Sequence, residues 1–264
     1  MSMENRLVRK EIEKVVRVIK EEAGRSIAGI YLYGSAVDGG LQKESDIDIL
    51  AIIDGSLSQK SKCQLVKKFM QVSGEIGNKQ LIRPFEVTIL NRDEISPWRH
   101  PVRNELQYGE WLRDEFLKGE IAGCNVNPDL TILLRQVHQS SITLTGSAAQ
   151  EIIPEIPDED IKQAIFDTLP ILLQCVKGDE RNTVLTLARM YYTLVVGGVT
   201  TKDRAADWLL SEIPVEFRDL LEMAKCGYLG ICKDNWQGKG EALKKITLYL
   251  VQLIKQTVPT GKKT

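Results

Sequence analysis

Gly34-Ser35, followed by Asp46 and Asp48, is the segment of this chain whose residue types and spacing could do chemistry. Acid and aliphatic residues alternate from Asp46 before the run Leu50-Ala51-Ile52-Ile53. That pattern reads as a β-strand whose period of two puts Asp46 and Asp48 on one face. Two carboxylates side by side repel, and a hard divalent cation between their oxygens relieves the repulsion. Mg²⁺ usually takes one or two carboxylates together with substrate phosphates. The expected chemistry is metal-assisted phosphoryl or nucleotidyl transfer.

An attacking hydroxyl must also lose its proton, which calls for a further carboxylate. Ile82 to Leu90 reads as a strand with Phe85, Val87 and Ile89 on one side and Glu86 and Thr88 on the other. Glu86 by itself would be a solvent-facing strand residue. Beside the Asp46/Asp48 pair it reads as a metal ligand, a general base, or both. His100 and His138 show no partner pattern for metal binding or nucleophilic catalysis and are read as structural.

Several elements must position these acids. Ile12, Val15, Val16 and Ile19 make a helical stripe ending near Gly24, and Ile27 to Tyr33 reads as a short buried strand. Asp46 to Asp54 is a second strand, and Lys60 to Ile76 is a helix through Leu65, Val66, Phe69 and Met70. From Pro101 onward the segments read as helices: 102–118, 129–144, 158–176, 179–196, 202–210, 215–227 and 241–256. The Pro-rich acidic stretch Ile152 to Asp158 is the natural linker. The expected fold class is α+β, with a mixed sheet and helices over residues 1–155 and an α-helical bundle over 156–264.

The 264 residues are 43% hydrophobic and 27% charged, the composition of a soluble globular protein with a substantial core. No apolar run reaches the roughly 18 to 20 residues of a membrane span, and the N-terminus lacks a signal peptide's apolar segment. No membrane partner and a cytoplasmic location are expected. The five cysteines, Cys63, Cys124, Cys175, Cys226 and Cys232, form no CxxC pair and read as free thiols. A net charge of -1 gives no electrostatic footprint for a nucleic-acid backbone, so a small-molecule acceptor fits better. The basic tail Gly261 to Thr264 reads as a solvated end.

Gly34-Ser35, Asp46-Ile47-Asp48 and Glu86 together resemble the polymerase-β-type nucleotidyltransferases. More closely, the chain resembles the aminoglycoside nucleotidyltransferases that adenylylate spectinomycin, alone or with streptomycin. The likeness runs through Tyr31 to Val37, Glu86-Val87-Thr88, Gly109 to Arg113, Gly178 to Asn182, Leu185 to Arg189, Lys202-Asp203 and Ala205 to Trp208. It implies an N-terminal nucleotidyltransferase domain and a C-terminal helical domain, with ATP and antibiotic meeting in a cleft between them.

By this resemblance Asp46 and Asp48 hold Mg²⁺, two ions being expected, and Glu86 is the catalytic base. Ser35 and Ser45 contact phosphate oxygens of ATP. Arg189 and Lys202 stabilise the charge that grows on departing pyrophosphate. Tyr228 packs on the nucleotide or is a half-buried turn tyrosine. A cationic, hydroxyl-rich aminocyclitol calls for acids and a flat apolar surface, which Asp179 and Trp111 offer. Trp111 could equally be ordinary core. Asp179, Asn182, Thr186, Arg189 and Thr193 share one stripe of a helix, a solvated face or a cleft wall.

The chain departs from the dual-specificity members, which carry a tryptophan and an extra acid before the Gly-Asp-Glu block. Here that segment reads Leu169 to Lys177, and Asn182 stands where they tend to have histidine. A larger acceptor such as streptomycin would lose a stacking surface and a charge partner. The implied reaction is transfer of AMP from ATP to the 9-hydroxyl of spectinomycin, releasing pyrophosphate, by a monomer. The alternatives are a dual spectinomycin/streptomycin enzyme, a transferase for another small acceptor, and an antitoxin-like binding module.

Overall fold

The computed structural model describes residues 3–42, 45–76, 82–174 and 176–257, so Cys175 and the tail 261–264 lie outside the described residues. The chain divides into a sheet unit, which ends at Pro157, and a helical unit, which runs from Asp158 and to which Gln42 is also assigned. No described helix is long and apolar enough to cross a membrane.

The sheet unit has five strands, β1 (Ile27–Tyr33), β2 (Ile47–Ile53), β3 (Phe85–Asn91), β4 (Leu106–Tyr108) and β5 (Ile142–Gly146), in the order β4-β3-β2-β1-β5. β2 and β3 pair in parallel, and every other neighbouring pair is antiparallel. Parallel neighbours need a crossover, which here contains helix α2 (Gln59–Val72). Ser58 caps α2 by accepting the Ser61 N–H at 3.1 Å.

Period two decides the faces. Ile47, Ile49, Ala51 and Ile53 of β2, with Phe85, Val87 and Ile89 of β3, join one core with Val15 and Ile19 of α1 (Met3–Ala23) and Leu65 and Phe69 of α2. The intervening residues, Asp48 and Glu86 among them, belong to the opposite face. Further along that face Leu50, Ile52 and Leu90 are fully buried, and the helices α4 (Asp129–Gln139) and α5 (Ala149–Ile152) contact β1.

Two expected helices are not continuous. Residues 102–118 form β4, a 3₁₀ turn (Glu110–Leu112) and the short helix α3 (Arg113–Leu117). Val102 and Leu106 mimic helical spacing, but Leu106, Gln107 and Tyr108 satisfy their backbone against β3. Residues 129–144 are helical only to Gln139, and Ile142 then opens edge strand β5. Its β-branched alternation ends at Gly146, φ +83°, where a Cβ would stand 2.1 Å from the Ala28 carbonyl oxygen.

The helical unit contains α6 (Asp158–Leu172), α7 (Glu180–Val196), α8 (Lys202–Glu212), α9 (Val215–Tyr228) and α10 (Gly240–Gln256). α7 is central, contacting each of the other four. Its residues Val184, Leu185, Leu187 and Ala188 are fully buried.

Candidate active site

Asp48 and Glu86 are register partners on parallel β2 and β3. Partners in a pleated sheet share a face, so the two carboxylates start from neighbouring positions at the beginnings of their strands. Asp46 lies just ahead of β2, and all three acids are half-buried. Loss of water raises Glu86 to about 8, helped by repulsion from Asp48, Asp129 and Asp46 and opposed by a hydrogen bond with Gln107. The acids therefore act on one another through space. By register, Asp48 and Glu86 share one face of the sheet.

Asp129, the first residue of α4, and Gln107 of β4 join this site without having been foreseen. Asp129 follows Pro128 at a helix start, where an acid is ordinary because it complements the helix dipole. No local pattern tied it to Asp48 or Glu86. Gln107 was hidden by the helical reading of residues 102–118.

A glycine lets the Asp48 carboxylate come in. Gly34, φ +69° and buried, leads the 3₁₀ turn Gly34–Ala36 that carries half-buried Ser35. A Cβ on Gly34 would lie 2.1 Å from Asp48 Oδ2. Positive φ and the absence of a side chain are both required there. Ser45 is buried, its carbonyl accepting from Arg83 Nη1 at 3.1 Å, and Ile47 N–H donates to the Pro84 carbonyl at 2.9 Å. These bonds fix the backbone on both sides of Asp46.

The donor set suits a hard cation. Repelling carboxylates around a half-buried glutamate favour positive charge, while among the described residues no group of three or more His, Cys, Asp or Glu side chains is gathered as metal ligands. Mg²⁺ usually takes one or two carboxylates, with substrate phosphates completing its shell.

The helical unit brings a second group of foreseen residues together. Asn182 on α7 donates to Asp179 Oδ2 at 2.8 Å, and its Oδ1 accepts Lys202 Nζ at 2.5 Å and the Thr186 hydroxyl at 3.5 Å. The Lys202 ammonium also stands 5.9 Å from the centre of the Tyr228 ring. Asp179, Asn182, Thr186, Lys202 and Tyr228 thus make one polar cluster on α7, the start of α8 and the end of α9. Arg189, half-buried, lies further along the same α7 stripe.

Trp111, in the sheet unit, is 47% exposed, an unusual state for so large an apolar ring. Its ring lies over Gly109, where a Cβ would fall 2.2 Å from ring carbons. The adjoining Glu110 is buried, accepting the Tyr108 hydroxyl at 2.5 Å and Arg113 Nε at 2.6 Å. This fixed turn presents the indole to solvent.

Residues 12–112 match the nucleotidyltransferase domain model, and residues 151–252 match the aminoglycoside adenylyltransferase C-terminal domain model. A spectinomycin 9-adenylyltransferase of Staphylococcus aureus is 43% identical over 245 residues, covering 93% of this chain and 94% of the relative. An aminoglycoside (3'') (9) adenylyltransferase of Escherichia coli is 36% identical over 242 residues, covering 91% and 92%. The crystal structure of spectinomycin adenyltransferase AAD(9) from Enterococcus faecialis with ATP and spectinomycin matches with a TM-score of 0.90 at 33% identity, covering 93% of this chain and 98% of that one. Fold and sequence agree: the chain belongs to the aminoglycoside adenylyltransferases, enzymes that join a nucleotidyltransferase domain to a C-terminal helical domain.

Proposed function

We propose that this enzyme transfers AMP from ATP to the 9-hydroxyl of spectinomycin, releasing pyrophosphate and inactivating the drug. The mutual field of Asp46, Asp48 and Glu86 beside the Gly34 turn carries the reading. A relative named for position 9 alone is 43% identical, a relative named for both positions 36%, and the AAD(9) structure 33%, so identity alone does not choose between the acceptors. Asn182 and the missing tryptophan ahead of Gly178 favour the single-acceptor reading.

Glu86 accepts the proton of the 9-hydroxyl. Without metal, loss of water and the neighbouring acids raise its proton affinity; Mg²⁺ on Asp46 and Asp48 would relieve that repulsion and leave the carboxylate ionised for proton abstraction. The freed oxygen attacks the α-phosphorus and the bond to pyrophosphate breaks. Arg189 and Lys202 stabilise the departing charge, and Ser35 and Ser45 hold phosphate oxygens. Asp46 and Asp48 would hold Mg²⁺, two ions in this reading, which when bound neutralises the triphosphate.

Tyr228 packs on the nucleotide. Trp111 offers its exposed face to the drug's rings, while Asp179 and Asn182 engage its ammonium and hydroxyl groups. Residues 1–155 form the transferase domain and 156–264 the domain for substrate and ATP contacts. The enzyme works as a cytoplasmic monomer, with no nucleic-acid or membrane partner.

Purified protein with ATP, Mg²⁺ and each drug tests the proposal through pyrophosphate release and the mass of the product. Spectinomycin should gain one AMP. Comparable turnover of streptomycin would overturn the specificity, and turnover of neither drug the assignment itself.

A further inference from the structure

Cys226 and Cys232 lie at the end of α9, where the chain turns back on itself. The Cys232 N–H donates to the Cys226 carbonyl at 3.3 Å, and the Ile231 N–H donates to the same oxygen at 3.0 Å. With standard backbone dimensions such a bond puts the two Cα atoms about 6 Å apart, inside the span a disulfide bridges. Both thiols are free, Cys226 half-buried and Cys232 exposed.

The surroundings distinguish the two sulfurs. Cys226 Sγ–H donates to Glu222 Oε1 at 3.6 Å, and Glu222 Oε2 pairs with Lys225 Nζ at 2.8 Å. Burial, this bond and the nearby Cys232 sulfur all hold the Cys226 thiol protonated above its ordinary range. Cys232 has the open approach, and Cys226 has a proton acceptor in place.

We propose that Cys226 and Cys232 form a reversible regulatory disulfide, closed by a low-molecular-weight disulfide such as oxidised glutathione. The Cys232 thiolate attacks one glutathione sulfur, forming a mixed disulfide and expelling one glutathione thiolate. Cys226 then gives its proton to Glu222, and its sulfur attacks Cys232 Sγ. The second glutathione leaves as a thiolate and takes up a proton. Two protein thiols are oxidised by two electrons in all, and one glutathione disulfide is reduced to two thiols.

The ring so closed encloses Gly227, whose carbonyl accepts Arg181 Nη1 at 2.9 Å, and Tyr228, over which Lys202 stands. Closing it constrains the turn that presents Tyr228, so ATP binding weakens. This consequence rests on the nucleotide role proposed for Tyr228, whereas formation of the disulfide does not.

Trypsin cuts after Lys225 and Lys233, leaving both cysteines in one peptide, Cys226 to Lys233. Full-length protein treated with oxidised glutathione should yield this peptide two hydrogens lighter and closed to alkylation, both reversed by dithiothreitol. C226S should retain one glutathione on Cys232, and C232S should leave Cys226 alkylatable. A wild-type peptide that stays open, or carries separate adducts, overturns the disulfide. Calorimetry with ATP should show severalfold weaker binding by the oxidised wild type and no change in oxidant-treated C226S/C232S. Equal affinities with the disulfide in place would sink the coupling to nucleotide and leave the disulfide standing.

Discussion

Glu86 stands in register with Asp48 across the parallel β2–β3 pair, so the proposed base and a proposed metal ligand come from adjacent backbone positions. Glu86→Gln keeps the shape and the Gln107 contact of this site and removes the proton acceptor. Transfer should fall by about 10²–10⁴-fold, the usual contribution of a general base. ATP affinity, measured by calorimetry, should stay within a few-fold, and near-normal turnover would exclude Glu86 from proton abstraction.

The same acids make stability depend on pH. Glu86 is raised to about 8 in the folded protein, whereas an unfolded glutamate titrates near about 4.3. Between those values the folded state holds a proton that the unfolded state has released. Its stabilising contribution is complete below the lower value and is lost as pH rises through the upper one. Melting of the nucleotide-free, Mg²⁺-free protein should drop more steeply towards alkaline pH in the wild type than in Glu86→Gln. Parallel curves would mean that Glu86 titrates normally.

Gly34→Ala meets two obstacles, a φ of +69° and an Asp48 oxygen 2.1 Å from the new Cβ. Strain of this kind costs about 1–3 kcal/mol. The variant should melt several degrees lower and lose transfer activity well beyond what the melting change explains, because Asp48 must move. Unchanged kcat in folded Gly34→Ala would show that the carboxylate's position is not critical.

Lys62 and Glu105 form an ion pair at 2.6 Å with side chains only 8% and 5% exposed. Deleting one partner strands a buried charge, so Lys62→Ala should lose about 3–5 kcal/mol in urea unfolding. The double variant Lys62→Met with Glu105→Leu should recover most of that loss. A double variant as unstable as the single one would show that the pair supplies more than mutual neutralisation.

Lys202→Met removes the ammonium that Asn182 and the Tyr228 ring share. The KM for ATP should rise at least tenfold if Lys202 meets the phosphates. An effect confined to thermal stability would assign the lysine to the helical cluster alone.

The periods of the sequence, two along Asp46 to Ile53 and Ile82 to Leu90 and near 3.6 along α1, α2 and the C-terminal helices, were enough to put Asp48 and Glu86 on the strand face opposite the core. Backbone geometry sets those periods locally, and each segment carries its own. The helices of the second unit were legible for the same reason.

Pairing between distant segments was not legible. β4 and β5 are strands because β3 and β1 supply their hydrogen-bond partners, and their own spacing was compatible with helix. Asp129 and Gln107 act on Glu86 only because the fold brings α4 within its field and pairs β4 with β3. The closeness of Asp48 to Gly34, and of Lys202 to Asn182 and Tyr228, was likewise decided by packing. The amino-acid order by itself determined which acids and cations were available for the proposed chemistry. The tertiary structure alone decided which of them share a field, because charge and hydrogen bonding depend on separation in space and not along the chain.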